Sequence, residues 1–340
     1  MYNNNVDDIL ITGGAGFIGS HLTDRLLAEG YRVRVLDNLS NGSLDNLAEA
    51  TAHPGFTFIE GDILDPSACE QATSGVKFVF HLACLGVRNS IHSPFENHRV
   101  NAEGTLRILE AARRAGIKHF YYISTSEIYG RTTEFPITES AQTNPLTVYG
   151  ASKLAGEHYT KAYMECYDLP VTVLRIFNNY GPRAHHEGDA GEIIPRSIVR
   201  ILYGEQPVLF GDGGITRDFF YVKDTARVLS KLLSLAVDGR QTEILGKTFN
   251  IGTGLEITMK DLLERLLTAM DRKALGINFL ADRPADVPRL WVQAEEFKKW
   301  IDFSPAYSFE QGLAETIAYY TNKLEETDLI TAVQEINWLK

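Results

Sequence analysis

Short apolar runs and helical stretches alternate through the first half of the chain. DILIT (8–12), YRVRVLD (31–37), FTFIEGD (56–62), KFVFHLA (77–83), HFYYIS (119–124) and VTVLRIF (171–177) are rich in Val, Ile, Phe and Tyr and lack strict alternation. Strands buried on both faces have this pattern. Between them the spacing predicts helices. One runs from Pro94, suited to a first helical turn, to Gly116, a natural stop, with Val100, Leu106 and Leu109 at helical spacing. A second begins near Tyr149 and ends before Leu169-Pro170. This alternation predicts an α/β protein with a doubly wound parallel sheet and right-handed crossovers.

After about residue 178 the pattern changes. Loops with Gly and Pro dominate (YGPRAHHEGDAGEIIP, FGDGGITRDFF), helices shorten, and KTFNIGTG (247–254) predicts one more sheet strand. The chain thus divides into a sheet domain over 1–178 with a returning segment at about 217–253, and a smaller interleaved lobe over 179–216 and 254–325. A tail over 326–340 is expected to lie on the surface, and its closing ITAVQEINWLK carries no legible function.

At 340 residues, 44% hydrophobic and 23% charged, the chain has an ordinary globular composition and the length for one large domain with a lobe. The net charge of −11 argues against a broad nucleic-acid or anionic-membrane surface, although it permits a local pocket of arginines. The opening MYNNNVDDILITGG lacks the basic and apolar regions of a leader, and no run approaches the ~18 apolar residues of a membrane span. A cytoplasmic protein is expected. Cys69, Cys84 and Cys166 are odd in number and lack CxxC spacing, which predicts reduced, buried thiols. His185 and His186 have no further ligand at metal spacing, so no metal is expected.

The first strand runs directly into TGGAGFIGSH, with Gly13, Gly16 and Gly19 around Phe17 and Ile18. Such glycines make a tight turn, admit a pyrophosphate to the backbone and let helix and sheet pack closely, while the helix N-terminus supplies N–H groups. The second strand ends in Asp37, 18 residues after Gly19. A carboxylate there accepts ribose hydroxyls and repels a 2′-phosphate, which predicts NAD on a Rossmann domain. Asp62-Ile63 follows the third strand, where an adenine would lie, although loop polarity explains Asp62 equally well.

Tyr149 and Lys153 lie four residues apart on a predicted helix and share a face. A phenol of pKa ~10 becomes a base near neutrality only if charge beside it supplies about 4 kcal/mol, enough to lower its pKa by ~3 units. Such a phenolate takes a proton from a sugar hydroxyl while hydride leaves for NAD. In YYISTSEIYG (121–130), Ser124 and Glu127 have the spacing of a capping box. Gly130 leaves little room for a helix, so the stretch is expected to be a strand end presenting Thr125.

On these motifs the chain resembles the NAD-dependent nucleotide-sugar epimerase/dehydratase branch of the extended short-chain dehydrogenase/reductases. The resemblance spans nearly the whole chain: TGGAGFIGSH, Asp37-Asn38, HLAC (81–84), Asn101-x-x-Gly104-Thr105, the cluster at 124–126, Tyr149-x-x-x-Lys153, Arg175-Ile176-Phe177-Asn178 and Arg217-Asp218. It implies that Thr125 binds the hydroxyl Tyr149 deprotonates and that Lys153 also holds the nicotinamide ribose. Asn38, Leu82, Ala83 and Asn101 would border the cofactor. Arg88, Ser126, Asn178, Arg217 and Arg283 would hold the nucleotide sugar, although an ion pair with Asp218 or Asp286 is the plainer role for Arg217 and Arg283. It also implies a homodimer through the helices around 94–116 and 149–168.

The family oxidises C4 of the sugar and later returns the hydride. Three fates of the 4-keto sugar then compete: epimerisation, 4,6-dehydration with Glu127 as base, and decarboxylation of a uronate. Ser126 stands where many of the dehydratases carry an aspartic acid, and the YGASKLAGE surround resembles 4-epimerases. The balance favours a 4-epimerase of a UDP-hexose type substrate, with a non-catalytic NAD-binding module as the distant alternative.

Overall fold

The computed structural model describes residues 8–283 and 286–336. The first seven residues, on which the leader expectation partly rests, Pro284-Ala285 of the DRPAD stretch and the last four residues of the tail lie outside them. Seven parallel strands form the central sheet: β1 (Asp8–Thr12), β2 (Arg32–Asp37), β3 (Phe56–Glu60), β4 (Phe78–His81), β5 (His119–Thr125), β6 (Val171–Ile176) and β7 (Thr248–Ile251). Their order is β7-β6-β5-β4-β1-β2-β3, and every pairing is parallel. The order reverses between β1 and β4, and the crevice beyond their carboxyl ends is where an open α/β sheet binds its ligand.

Alternate side chains of each strand serve two separate cores. Ile9, Ile11, Val33, Val35, Phe78, Phe80 and Tyr121 pack on one face with Leu22 and Leu26 of helix Phe17–Ala28 and Val228, Leu229 and Leu232 of helix Val222–Val237. Leu10, Leu36, Val79, Phe120 and Tyr122 face the other way, onto Cys69 and Ala72 of helix Pro66–Thr73 and Ile108 and Leu109 of helix Gly104–Ala115. Burial on both faces explains why these strands lack alternation.

A third core lies in the later part of the chain. There helix Ile193–Leu202 packs with helices Met259–Ala269 and Phe309–Leu324 through Ile194, Ile198, Leu262, Leu266, Leu313 and Tyr320. Leu329 of the tail is buried in this core, whereas most of the tail's described residues beyond it are exposed.

The long helix expected from Pro94 to Gly116 is interrupted. Helix Pro94–His98 passes into a π-helical turn, Arg99–Glu103, before helix Gly104–Ala115, which Gly116 ends in the left-handed conformation. The second expected helix spans Val148–Tyr167, capped by the Thr147 hydroxyl. Cys69 is buried and Cys84 half-buried, but Cys166 is exposed at a helix end, so the expectation of buried thiols fails there. No helix among the described residues is long and apolar enough to cross a membrane.

Candidate active site

One cavity of about 650 Å³ runs from the β1 turn to the later lobe. At one end Gly13, Gly16, Phe17, Ile18 and Gly19 line it. A Cβ at Gly19 would lie 2.2 Å from the Gly13 carbonyl oxygen, and one at Gly13, where φ is +71°, would lie 2.7 Å from the Ala83 nitrogen. Only glycine fits either place. Helix Phe17–Ala28 starts without a side-chain cap, leaving first-turn N–H groups for an anion.

Asp37 also lines the cavity. Its carboxylate accepts the Ala15 and Leu39 N–H groups at 2.9 Å each. Burial raises its pKa and these two bonds oppose the shift. Asn38 donates to Asp62 at 3.0 Å, and Asp62, Ile63, Leu82 and Ala83 complete this end. The donor set fits a dinucleotide: uncapped N–H groups for phosphate, a carboxylate for ribose hydroxyls and apolar walls for the rings.

Asn101 is placed otherwise. It is buried away from the cavity wall, where its amide accepts the Leu85 N–H at 2.8 Å and donates to the Leu85 carbonyl at 2.9 Å. Both functions of the amide are used, so Asn101 fixes the 82–86 wall from behind. A relay beneath this wall joins its pieces. Thr12 Oγ1 meets His81 Nδ1 at 2.7 Å and accepts the Ala83 N–H at 3.3 Å, and His81 Nε2 meets Thr105 Oγ1 at 3.0 Å. The His81 ring is fully buried, which holds its pKa well below the usual value and keeps it neutral.

In the middle of the cavity stand Ser124, Thr125, Ser126, Glu127, Tyr149 and Lys153. β5 ends at Thr125, whose hydroxyl caps a three-residue 3-10 helix, Ser126–Ile128, by accepting the Glu127 N–H at 3.3 Å. Thr125, not Ser124, is therefore the cap. Ser124 Oγ is buried without a partner. Gly130, at φ +57°, closes the turn where a Cβ would lie 1.8 Å from the Asn144 carbonyl oxygen.

Burial pushes the Tyr149 phenol well above its usual pKa. Cys84, Glu127 and Glu192 add to the shift, and a hydrogen bond with Thr125 opposes it. The Lys153 ammonium lies over the Tyr122 ring, 4.4 Å from its centroid, and burial lowers its pKa against Cys84 and Glu157. In the chain alone burial dominates, and the phenol is protonated at neutral pH.

The far wall is basic. Arg88, Arg196, Arg200, Arg217 and Arg283 line it with Asn178, whose Oδ1 is buried without a partner. Arg88 donates to the Asp189 and Ala190 carbonyls at 2.5 and 2.8 Å, and burial lowers its pKa to about 10. Arg217 and Arg283 both bind Asp286 Oδ1, at 2.8 and 2.6 Å. Asp218 instead accepts the Thr253 and Gly254 N–H groups at 2.9 and 2.8 Å and takes neither arginine.

His185 lines the cavity and His186 does not. The Nδ1 atoms of the two rings meet Glu187 at 2.7 and 2.9 Å. Burial works against charging His185, but the Glu187 hydrogen bond and the charges of Glu187 and Glu192 prevail and raise its pKa. No group of His, Cys, Asp and Glu among the described residues could hold a metal.

Among the cavity residues that lie outside the sequence motifs are Glu192 and Arg196. Cys84, the last residue of HLAC, also lines the cavity, where its charge acts on Tyr149 and Lys153. Burial raises the pKa of Glu192, with Arg88 and His185 opposing. One signal for Arg196 was present: a charged residue inside the apolar run IIPRSIVRIL.

A glycine cradle at the sheet's switch point, facing Thr, Tyr and Lys across one cavity, defines an oxidoreductase-type dinucleotide enzyme. The chain belongs to the NAD-dependent nucleotide-sugar epimerase/dehydratase family of extended short-chain dehydrogenase/reductases: residues 10–316 match the GDP-mannose 4,6 dehydratase family model. UDP-glucose 4-epimerase of Mycolicibacterium smegmatis is 34% identical over 317 residues, 92% of this chain and 98% of that protein. UDP-glucuronic acid decarboxylase 1 of Xenopus tropicalis is 33% identical over 323 residues, 93% of this chain and 73% of that protein. The solved structure of DesIV, a dTDP-glucose 4,6-dehydratase from Streptomyces venezuelae with NAD and TYD bound, is similar with a TM-score of 0.88 and 31% identity. It covers 95% of this chain and 99% of that one. These relatives carry three different reactions, so membership alone does not select among them.

Proposed function

We propose that this protein binds NAD, oxidises C4 of the hexose of a nucleoside-diphosphate sugar and returns the hydride to the same carbon, as a 4-epimerase of UDP-hexose type. The observation that carries the proposal is the placing of Thr125, Tyr149 and Lys153 between the glycine cradle and the arginine wall of one cavity. NAD, when bound, takes hydride from the sugar and gives it back. Thr125 orients the hydroxyl, and Tyr149 takes its proton. Positive charge must arrive beside the phenol for that step, and Lys153 is the chain's own source of it. The unpartnered Ser124 Oγ and Asn178 Oδ1 supply polar contacts for a sugar that presents either face. Asn178, Arg217 and Arg283 hold the diphosphate, Arg88 and Ser126 border the sugar, and Asp37, Asn38, Asp62 and Ile63 hold the adenosine.

A second reaction, 4,6-dehydration, is favoured by Glu127 on the same wall as Tyr149, where its charge reaches the phenol. Against it stands Ser126, a far weaker acid than the aspartic acid that elimination of a hydroxyl calls for. Incubation with UDP-glucose, UDP-GlcNAc, dTDP-glucose, GDP-mannose and UDP-glucuronate, read by mass spectrometry, separates the fates. An epimer keeps its mass, while dehydration loses water and decarboxylation loses CO2. Tyr149→Phe is expected to lower turnover about 10²–10⁴-fold with NAD still bound, and near-wild-type turnover would remove Tyr149 from the mechanism. Glu127→Gln should keep substantial activity in an epimerase and abolish it in a dehydratase. The same proposal includes a cytoplasmic location, a sheet domain and substrate lobe divided as the sequence suggests, and a homodimer through the helices around 94–116 and 149–168. Phe95, 86% exposed, supports that interface.

A further inference from the structure

Helix Ile193–Leu202 buries Ile194, Ile198, Val199 and Ile201 in the lobe's core, and Arg196 stands inside that run. The Arg196 side chain is only 9% exposed, yet it reaches the cavity wall. Its Nη2 donates to the main-chain carbonyls of Gln334 and Glu335, the second at 2.9 Å. Its Nε is buried without a partner.

The neighbouring guanidiniums are committed elsewhere. Arg88 holds two carbonyls, Arg283 holds Asp286, and Arg200 holds the Gln206 carbonyl and Glu205. Burial lowers the Arg196 pKa to about 10, with Arg88, Arg200 and Arg283 all adding to the shift. Arg196 therefore stays charged at neutral pH among like charges, with its buried Nε unspent. An unspent buried donor in such a cluster is an anion site waiting for its acceptor.

The C-terminal segment that holds Arg196 is itself anchored. Leu329 is buried and donates its N–H to the Tyr203 hydroxyl at 3.2 Å, and that hydroxyl donates to Asp328 at 2.6 Å. The chain then passes back along helix Ile193–Leu202 to reach Arg196.

We propose that Arg196 binds the diphosphate of the nucleotide sugar through Nε, and that residues 334–335, by holding Nη2, position it, so that the C-terminal segment is part of the substrate site. This inference rests on the nucleotide-sugar function proposed above.

The test compares the full chain, a chain ending at Leu329, Arg196→Gln, Arg196→Lys, and the truncation combined with Arg196→Gln. UDP binding is measured by calorimetry, with bound NAD and thermal unfolding as checks of the fold. Arg196→Gln should weaken UDP about ten- to a hundredfold and raise KM for the turned-over sugar with kcat nearly unchanged, and Arg196→Lys should recover part of the loss. Truncation should weaken UDP in the wild-type background but add less than about twofold on Arg196→Gln, the signature of one coupled interaction. Unchanged UDP affinity in Arg196→Gln, or a truncation effect fully additive with it, would overturn the proposal. A full chain that binds none of UDP, dTDP and GDP would overturn the nucleotide-sugar function and this inference with it, an outcome distinct from binding that ignores Arg196.

Discussion

Acidification should unfold this protein earlier than its carboxylates alone would predict. Three histidines are buried as neutral rings: His21 against the Pro182 carbonyl, His81 between Thr12 and Thr105, and His119 against Thr172. Burial lowers the pKa of His21 to about 4 and that of His119 to about 3, and holds His81 well below the usual value. Because the folded pKa lies below the unfolded one, the unfolded chain binds more protons below about pH 6.5. Stability is complete above that pH and is lost as pH falls toward the folded values. His21 and His119 each cost up to about 1.4 kcal/mol per pH unit, or about 1.6 kcal/mol between pH 6.5 and 5.0, so the two together cost about 3 kcal/mol, and His81 acts in the same direction. That cost is a sizeable part of the 5–15 kcal/mol typical of a folded domain. Buried carboxyls with raised pKa, such as Asp218 and Glu192, act in the opposite direction, so the comparison needs a variant. Urea unfolding of wild type and His119→Gln from pH 7.5 to 5.0 provides it, and the variant's slope below pH 6.5 should be shallower by about one proton. Identical slopes for wild type and variant would refute the reasoning.

Gly19→Ala should yield folded protein purified without NAD, because the added Cβ collides with the Gly13 carbonyl in the cradle; cofactor content after heat release checks this. The pH–rate profile should rise toward alkaline pH, because the Tyr149 phenol is raised by burial and must lose its proton to act; a flat kcat/KM between pH 6 and 9 would contradict it.

The sheet was legible because strands buried on both faces leave unbroken apolar runs, and the returning strand at 248–251 showed the same mark. The π-helical turn was not, because one extra residue in a turn barely alters a 3.6-residue apolar repeat. Asn101 sits in a motif that borders the cofactor, yet its amide turns inward to Leu85, a direction set by packing rather than by spacing. Asp218 adjoins Arg217 in sequence, but loop geometry gives the arginine to Asp286, nearly seventy residues away. Ser124 has the capping-box spacing to Glu127. The end of β5 decides for Thr125 and leaves the Ser124 hydroxyl to the cavity. Glu192 and Arg196 carry no motif; burial beside the cavity marks Glu192, and for Arg196 the one sequence sign is a charge inside an apolar helix run.

The shared grip of Asp286 on Arg217 and Arg283 bears on how tightly the site can hold its ligand. On the proposed function, a diphosphate arriving there would trade places with a resident carboxylate instead of meeting two bare cations. Its affinity is then the difference between two ion-pair energies, smaller than a count of arginines suggests. The same exchange assists departure, since the carboxylate retakes both guanidiniums as the ligand leaves. On that function Asp286 acts as a tethered competitor that keeps the arginines aligned between turnovers and limits product retention.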